Sequence, residues 1–105
     1  MIVTTQPSVI WRFDPGPDDL DNEGEFTLRI REGAQLIAVD HSERSGMTAL
    51  WFLLPEPPMT STGEKDRVRR FRIVGTGHPI PAGYRYCGST GDGVLVWHVF
   101  ERIAA

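Results

Sequence analysis

The stretch Gly75-Thr76-Gly77-His78-Pro79-Ile80-Pro81, entered from the basic run Arg67-Val68-Arg69-Arg70-Phe71-Arg72, holds the residue types best suited to chemistry. Two glycines permit backbone angles that other residues resist, and exposed N–H groups in such loops can form an anion-binding nest. Arg70 and Arg72 could add bidentate hydrogen bonds to a phosphate or carboxylate, with Thr76, Gly77 and His78 completing the contacts. These five are the candidate ligand- or partner-binding residues. The ligand they suit is a small anion, for example a phosphate-bearing nucleotide signal that the protein would sequester. The loop lacks the Lys-Ser/Thr ending of a P-loop and the following helix of a dinucleotide fingerprint. Gly-x-Gly followed by Pro-x-Pro also suits a tight, rigid turn between strands. The arginines have a plain reading too, as outward charges that keep a sheet edge soluble. Their density beside a glycine loop favours a partner, because arginine is enriched at interface hot spots.

Other reactive residue types make no catalytic constellation. His98 alternates with Val94, Val96 and Phe100, which suggests a histidine buried on an apolar face and hydrogen-bonded to backbone. Asp40-His41 beside Ser42 and Ser45 holds the residue types of a hydrolase, but the composition is that of a polar turn. A small hydrolase using His41 or His98 is the least favoured reading, and no catalytic residue is assigned. Cys87 has no flanking thiol-enzyme motif and reads as a small buried hydrophobe. The three histidines, at 41, 78 and 98, have no repeated ligand spacing, so no metal and no cofactor is expected. Trp11, Trp51 and Trp97 are expected to pack the core.

The elements that must position these residues are strands. At 105 residues the chain suits a single β domain spanning 1–105. Runs rich in Val, Ile, Phe, Trp and Thr are divided by Gly, Pro, Asp and Ser clusters at the spacing of an all-β protein. About seven short, mainly antiparallel strands are expected, in a small sandwich or partly open barrel with little helix. They are Val9–Phe13, Glu25–Arg31, Leu36–Val39, Thr48–Leu54, Arg67–Val74, Tyr84–Cys87 and Val94–Phe100. Pro15 and Pro17 follow the first, which suits a sheet edge. Glu25–Arg31 alternates cleanly, and the glycine-containing link after it predicts a hairpin into Leu36–Val39. The unbroken apolar runs Leu36–Val39 and Thr48–Leu54 predict burial on both faces, and Val94–Phe100 a further core strand. On Arg67–Val74, Phe71 and Ile73 should point inward, Arg70 and Arg72 outward. An acidic loop over 14–25 and a flexible, exposed loop over 55–66 interrupt the pattern.

The net charge of −3 argues against general nucleic-acid binding, which needs a clear basic excess. The average hides a dipole: Asp14, Asp18, Asp19, Asp21, Glu23 and Glu25 against Lys65, Arg67, Arg69, Arg70 and Arg72. The two blocks either cover each other or dock separate partners. No apolar run is long enough to cross a bilayer and the start lacks a signal-peptide pattern, so a cytoplasmic location is expected.

Phe71 to Ile80, then Tyr86-Cys87-Gly88, then Val96-Trp97-His98-Val99-Phe100-Glu101 resemble a family of small uncharacterised bacteriophage proteins, a domain of unknown function. The likeness extends to Ile10–Phe13 and Gly33–Val39. The segments 14–25 and 55–66 look longer here, and Cys87 stands where an aliphatic residue is usual. The resemblance implies phage origin, a host-cell cytoplasmic setting and no activity. The leading expectation is therefore a non-enzymatic accessory protein that binds a host or phage macromolecule and self-associates. A small-ligand sponge acting against host defence is the alternative.

Overall fold

The computed structural model describes residues 2–56 and 66–103 and contains seven strands and one short 3₁₀ turn. The strands are β1 (Ser8–Phe13), β2 (Glu25–Arg31), β3 (Gln35–His41), β4 (Thr48–Pro55), β5 (Asp66–Gly75), β6 (Tyr84–Gly91) and β7 (Val96–Arg102). They form two antiparallel sheets, one ordered β1-β4-β3 and the other β2-β5-β7-β6. The sheets pack face to face without closing, so the architecture is the sandwich and not the barrel. The expected flexible loop over 55–66 lies, from 57 to 65, outside the described residues. No helix among the described residues is long and apolar enough to cross a membrane.

Alternation in β2 translates directly into burial: Phe26, Leu28 and Ile30 enter the core, while Thr27 and Arg29 are exposed. Opposite them, Leu50 and Phe52 of β4 are fully buried, as expected of a central strand. Five aromatic rings knit the sheets together. Trp11, Phe13, Phe26, Phe71 and Phe52 form a closed circuit with neighbouring centroids 5.6–6.0 Å apart.

Several expectations are corrected. The link at 32–34 is no hairpin: β2 pairs with β5, and β3 with β4. The chain crosses between sheets there because Ala34 is buried and both strands must offer apolar faces to one core. β3 is an edge strand with exposed Gln35, Ala38 and Asp40, so its apolar run is only half covered. β6 extends to Gly91, through the expected turn, and Val94, Leu95 and Val96 are exposed. The core-facing side of β7 is Trp97, Val99 and Glu101; His98 and Phe100 lie on the other face. None of the three tryptophans is fully buried. Trp51 turns outward, and the Arg12 guanidinium lies 5.1 Å from its ring centroid.

Candidate functional site

The strand β5 sorts its arginines into distinct environments. Arg69 faces the sandwich interior, where Nε and Nη2 donate to the Glu101 carboxylate at 2.6 and 2.9 Å and Nη1 donates to the Ala34 carbonyl at 2.7 Å. Its guanidinium also lies 5.8 Å from the Phe52 and 5.5 Å from the Phe71 ring centroid. Arg67 pairs with Glu32 at 2.7 Å. Arg72 points away from the core as expected, yet it is only 7% exposed. Arg70 is exposed, and its side chain makes no hydrogen bond or ion pair among the described residues.

What buries Arg72 is the acidic block. Its Nη2 donates to Glu23 at 2.6 Å and to Glu25 at 3.3 Å, and the Tyr84 ring centroid lies 5.0 Å from its guanidinium carbon. Tyr84 reaches across the sheet face from the edge strand β6, and its hydroxyl donates to Glu25 at 2.5 Å. Arg102 contacts Glu25 at 3.0 Å. Burial pushes the Glu25 carboxyl up, but the Tyr84 hydrogen bond and the Arg72 and Arg102 charges together outweigh it, so Glu25 ionises below the usual range. Burial likewise disfavours charge on Arg72, and its bonds to Glu23 and Glu25 more than restore it. The acidic and basic blocks therefore cover each other at Arg72. The loop holding Glu23 and Glu25 is fixed by Asp21, whose Oδ1 accepts from both backbone N–H groups at 2.8 and 3.0 Å. Gly24 between them has φ +81°, and a Cβ there would sit 2.5 Å from the Ile73 carbonyl oxygen.

The Gly75–His78 segment is a tight turn. The His78 N–H donates to the Gly75 carbonyl at 3.1 Å, and Gly77 has φ +90° at the third position, where a type II turn requires glycine. One N–H that an anion nest would use is thus already engaged. His78 and Arg72 do share a wall: they line a cleft of about 390 Å³ together with Leu20, Met47, Pro79 and Trp97. Thr76 turns elsewhere, its hydroxyl 2.9 Å from His98 Nε2. His98 Nδ1 lies 2.6 Å from the Ser89 hydroxyl, which lies 2.6 Å from the Tyr86 hydroxyl. His98 is therefore half-buried and bonded to side chains, not to backbone on an apolar face as its neighbours suggested. His41 sits at the end of β3 with no side chain that completes a nucleophile–base pair among the described hydrogen bonds, and its Nδ1 is buried without a partner. No group of three His, Cys, Asp or Glu side chains among the described residues could hold a metal ion.

Thus Arg72 and His78 meet at one cleft, Gly77 shapes the turn beside it, and Thr76 and Arg70 face other surroundings. Arg70 belongs to a second surface. Across the β2–β5 ladder it pairs in register with Thr27, and Val68 pairs with Arg29. All four are exposed on the side of the four-stranded sheet that faces away from the core. Arg29, like Arg70, has no ion pair among the described residues. Sequence reasoning passed over Arg29, Tyr84 and Arg102. The even spacing of Glu23, Glu25, Thr27 and Arg29 was the available signal, since period two puts them on one face.

The fold and this surface define a small antiparallel β-sandwich with a charged outer sheet face. A family model described as a domain of unknown function, DUF7352, matches residues 8–105, and the chain belongs to that family. No curated protein and no solved structure matches the chain.

Proposed function

We propose that this chain is a non-enzymatic binding protein that engages a second macromolecule through the outer face of its four-stranded sheet, centred on Arg70. The observation that carries this reading is the contrast within the basic run. Arg67, Arg69 and Arg72 are matched by carboxylates of the same chain, whereas Arg70 and its neighbour Arg29 are left unmatched around exposed Val68. Unpaired guanidiniums flanking an aliphatic side chain suit a partner with acidic groups around an apolar contact. In the bacteriophage setting that the sequence resemblance implies, that partner is a host or phage protein.

Affinity capture compares the wild-type chain with the Arg29→Glu/Arg70→Glu double variant, with circular dichroism showing that both are folded. A stoichiometric protein held by the wild type and released by the double variant or by raised salt supports the reading. An unchanged set of partners refutes it. Arg72 is unsuitable for this test because its replacement disturbs a buried network.

A second reading places a small anionic ligand in the cleft beside Arg72, favoured by the shared wall of Arg72, His78 and Trp97. Such an anion must displace Glu23, the exposed partner of Arg72. Failure of any nucleotide at high concentration to raise the melting temperature rejects it, since a bound ligand stabilises by mass action.

A further inference from the structure

The four edge strands of the sandwich are not equally protected against pairing with another chain. β3 carries a bulge between Leu36 and Ala38, and β6 one between Tyr86 and Gly88. Bulges twist an edge away from a would-be partner. β2 carries at its middle the exposed Arg29, a charge without an ion pair among the described residues, which disfavours edge-to-edge contact. β1, Ser-Val-Ile-Trp-Arg-Phe, pairs with β4 in unbroken register and has neither device. Its one charge, Arg12, is held by Asp14 at 2.8 Å. Its apolar side chains remain open, Ile10 at 63% and Val9 at 41%.

The backbone of β1 is also set out for pairing. The Glu56 N–H donates to the Pro7 carbonyl at 3.0 Å, and the β1–β4 register continues that alignment from Ser8↔Pro55 to Phe13↔Leu50. Antiparallel ladders alternate, so Val9, Trp11 and Phe13 direct their backbone groups to β4, while Ser8, Ile10 and Arg12 direct theirs to the open edge. A two-fold axis through Ile10 makes this edge complementary to itself. Ile10 then exchanges both hydrogen bonds with its own copy, Val9 lies beside Trp11 on one face, and Ser8 lies beside Arg12 on the other. No like charges oppose.

From this we infer that β1 is a self-association edge. It pairs antiparallel with β1 of a second copy about Ile10, joining two three-stranded sheets into one six-stranded sheet. The contact is isologous, so it closes at the dimer. It lies on a different sheet from the Arg29–Arg70 surface, and its test is independent of that surface.

The test is the mass in solution by light scattering or sedimentation, on the full chain and two variants. Ile10→Pro removes an N–H that β4 does not use, and Ile10→Lys puts a charge beside its own copy across the axis. The wild type is expected at twice the chain mass, and both variants at the chain mass with circular dichroism unchanged. If Ile10→Pro unfolds, Ile10→Lys decides. In a Cys87→Ser background, Ile10→Cys should cross-link on mild oxidation, because hydrogen-bonded antiparallel partners have Cα atoms about 5.5 Å apart, within disulfide reach. Arg44→Cys, on the exposed turn before β4, should not cross-link. A wild type that stays monomeric at high concentration overturns the inference and leaves the edge to a strand from another protein. A dimer that survives Ile10→Lys also overturns it, by placing the contact elsewhere.

Discussion

Replacing Glu101 by Gln tests how this sandwich handles charge inside its fold. Glu101 is 7% exposed and receives two hydrogen bonds from Arg69 and one, at 2.8 Å, from Arg85. Glutamine keeps the shape and one acceptor but removes the charge and turns an NH₂ group toward guanidinium donors. Arg69 is then a largely buried cation answered only by the Ala34 carbonyl and the glutamine oxygen. Breaking a buried pair on one side costs about 3–5 kcal/mol when nothing compensates. Partial exposure of Arg69 and the surviving acceptors bring the expected loss to about 2–3 kcal/mol. At about 4–8 °C per kcal/mol for a domain near this size, the melting temperature falls by about 10–20 °C. Arg85→Gln removes only an exposed partner and should cost less than about 0.5 kcal/mol.

The same variant carries a pH signature. Burial pushes the Glu101 carboxyl up, but Arg69 and Arg85 outweigh it and hold the group below the ordinary glutamate value of 4.5. A carboxylate depressed in the folded state stabilises above its unfolded value, and that stability is lost as pH falls through the folded value. The gap between wild type and Glu101→Gln should therefore be full above pH about 4.5 and close below it. Urea unfolding followed by tryptophan fluorescence, repeated down the pH range, measures both effects. A loss below 1 kcal/mol on the scale of ordinary surface substitutions, or a gap that is constant with pH, refutes the reasoning.

Three further outcomes follow from particular contacts. Arg72→Leu should cost about 2 kcal/mol while leaving Glu25 its bonds from Tyr84 and Arg102, whereas Arg70→Glu should change stability by less than about 0.5 kcal/mol; denaturant midpoints compare the two. Gly24→Ala meets the Ile73 carbonyl oxygen and an unfavourable φ, so thermal unfolding should register a loss of about 1–3 kcal/mol. Burial, then the nearby Glu101 charge, pushes the Cys87 thiol up, so a thiol reagent at pH 8 should label it more slowly than it labels the unfolded chain.

The sequence by itself determined that this is a seven-stranded all-β protein, because period-two alternation and turn residues are local signals. Phe26, Leu28 and Ile30 in β2, and Phe71 and Ile73 in β5, could be placed on the core side without knowing their neighbours. The turn chemistry of Gly77 was equally local. Pairing between distant strands was not, since a short glycine link such as 32–34 fits a hairpin and a crossing between sheets equally well. Only the tertiary structure decided that β2 lies beside β5, and with it the fate of the arginines. Register placed Arg72 opposite Glu25 and Arg70 opposite Thr27. One guanidinium is thereby neutralised beneath Tyr84, and another of the same type, two residues away, stays exposed without an ion pair among the described residues. Charge along a chain is a property of sequence, whereas which charges remain unspent at the surface depends on long-range pairing.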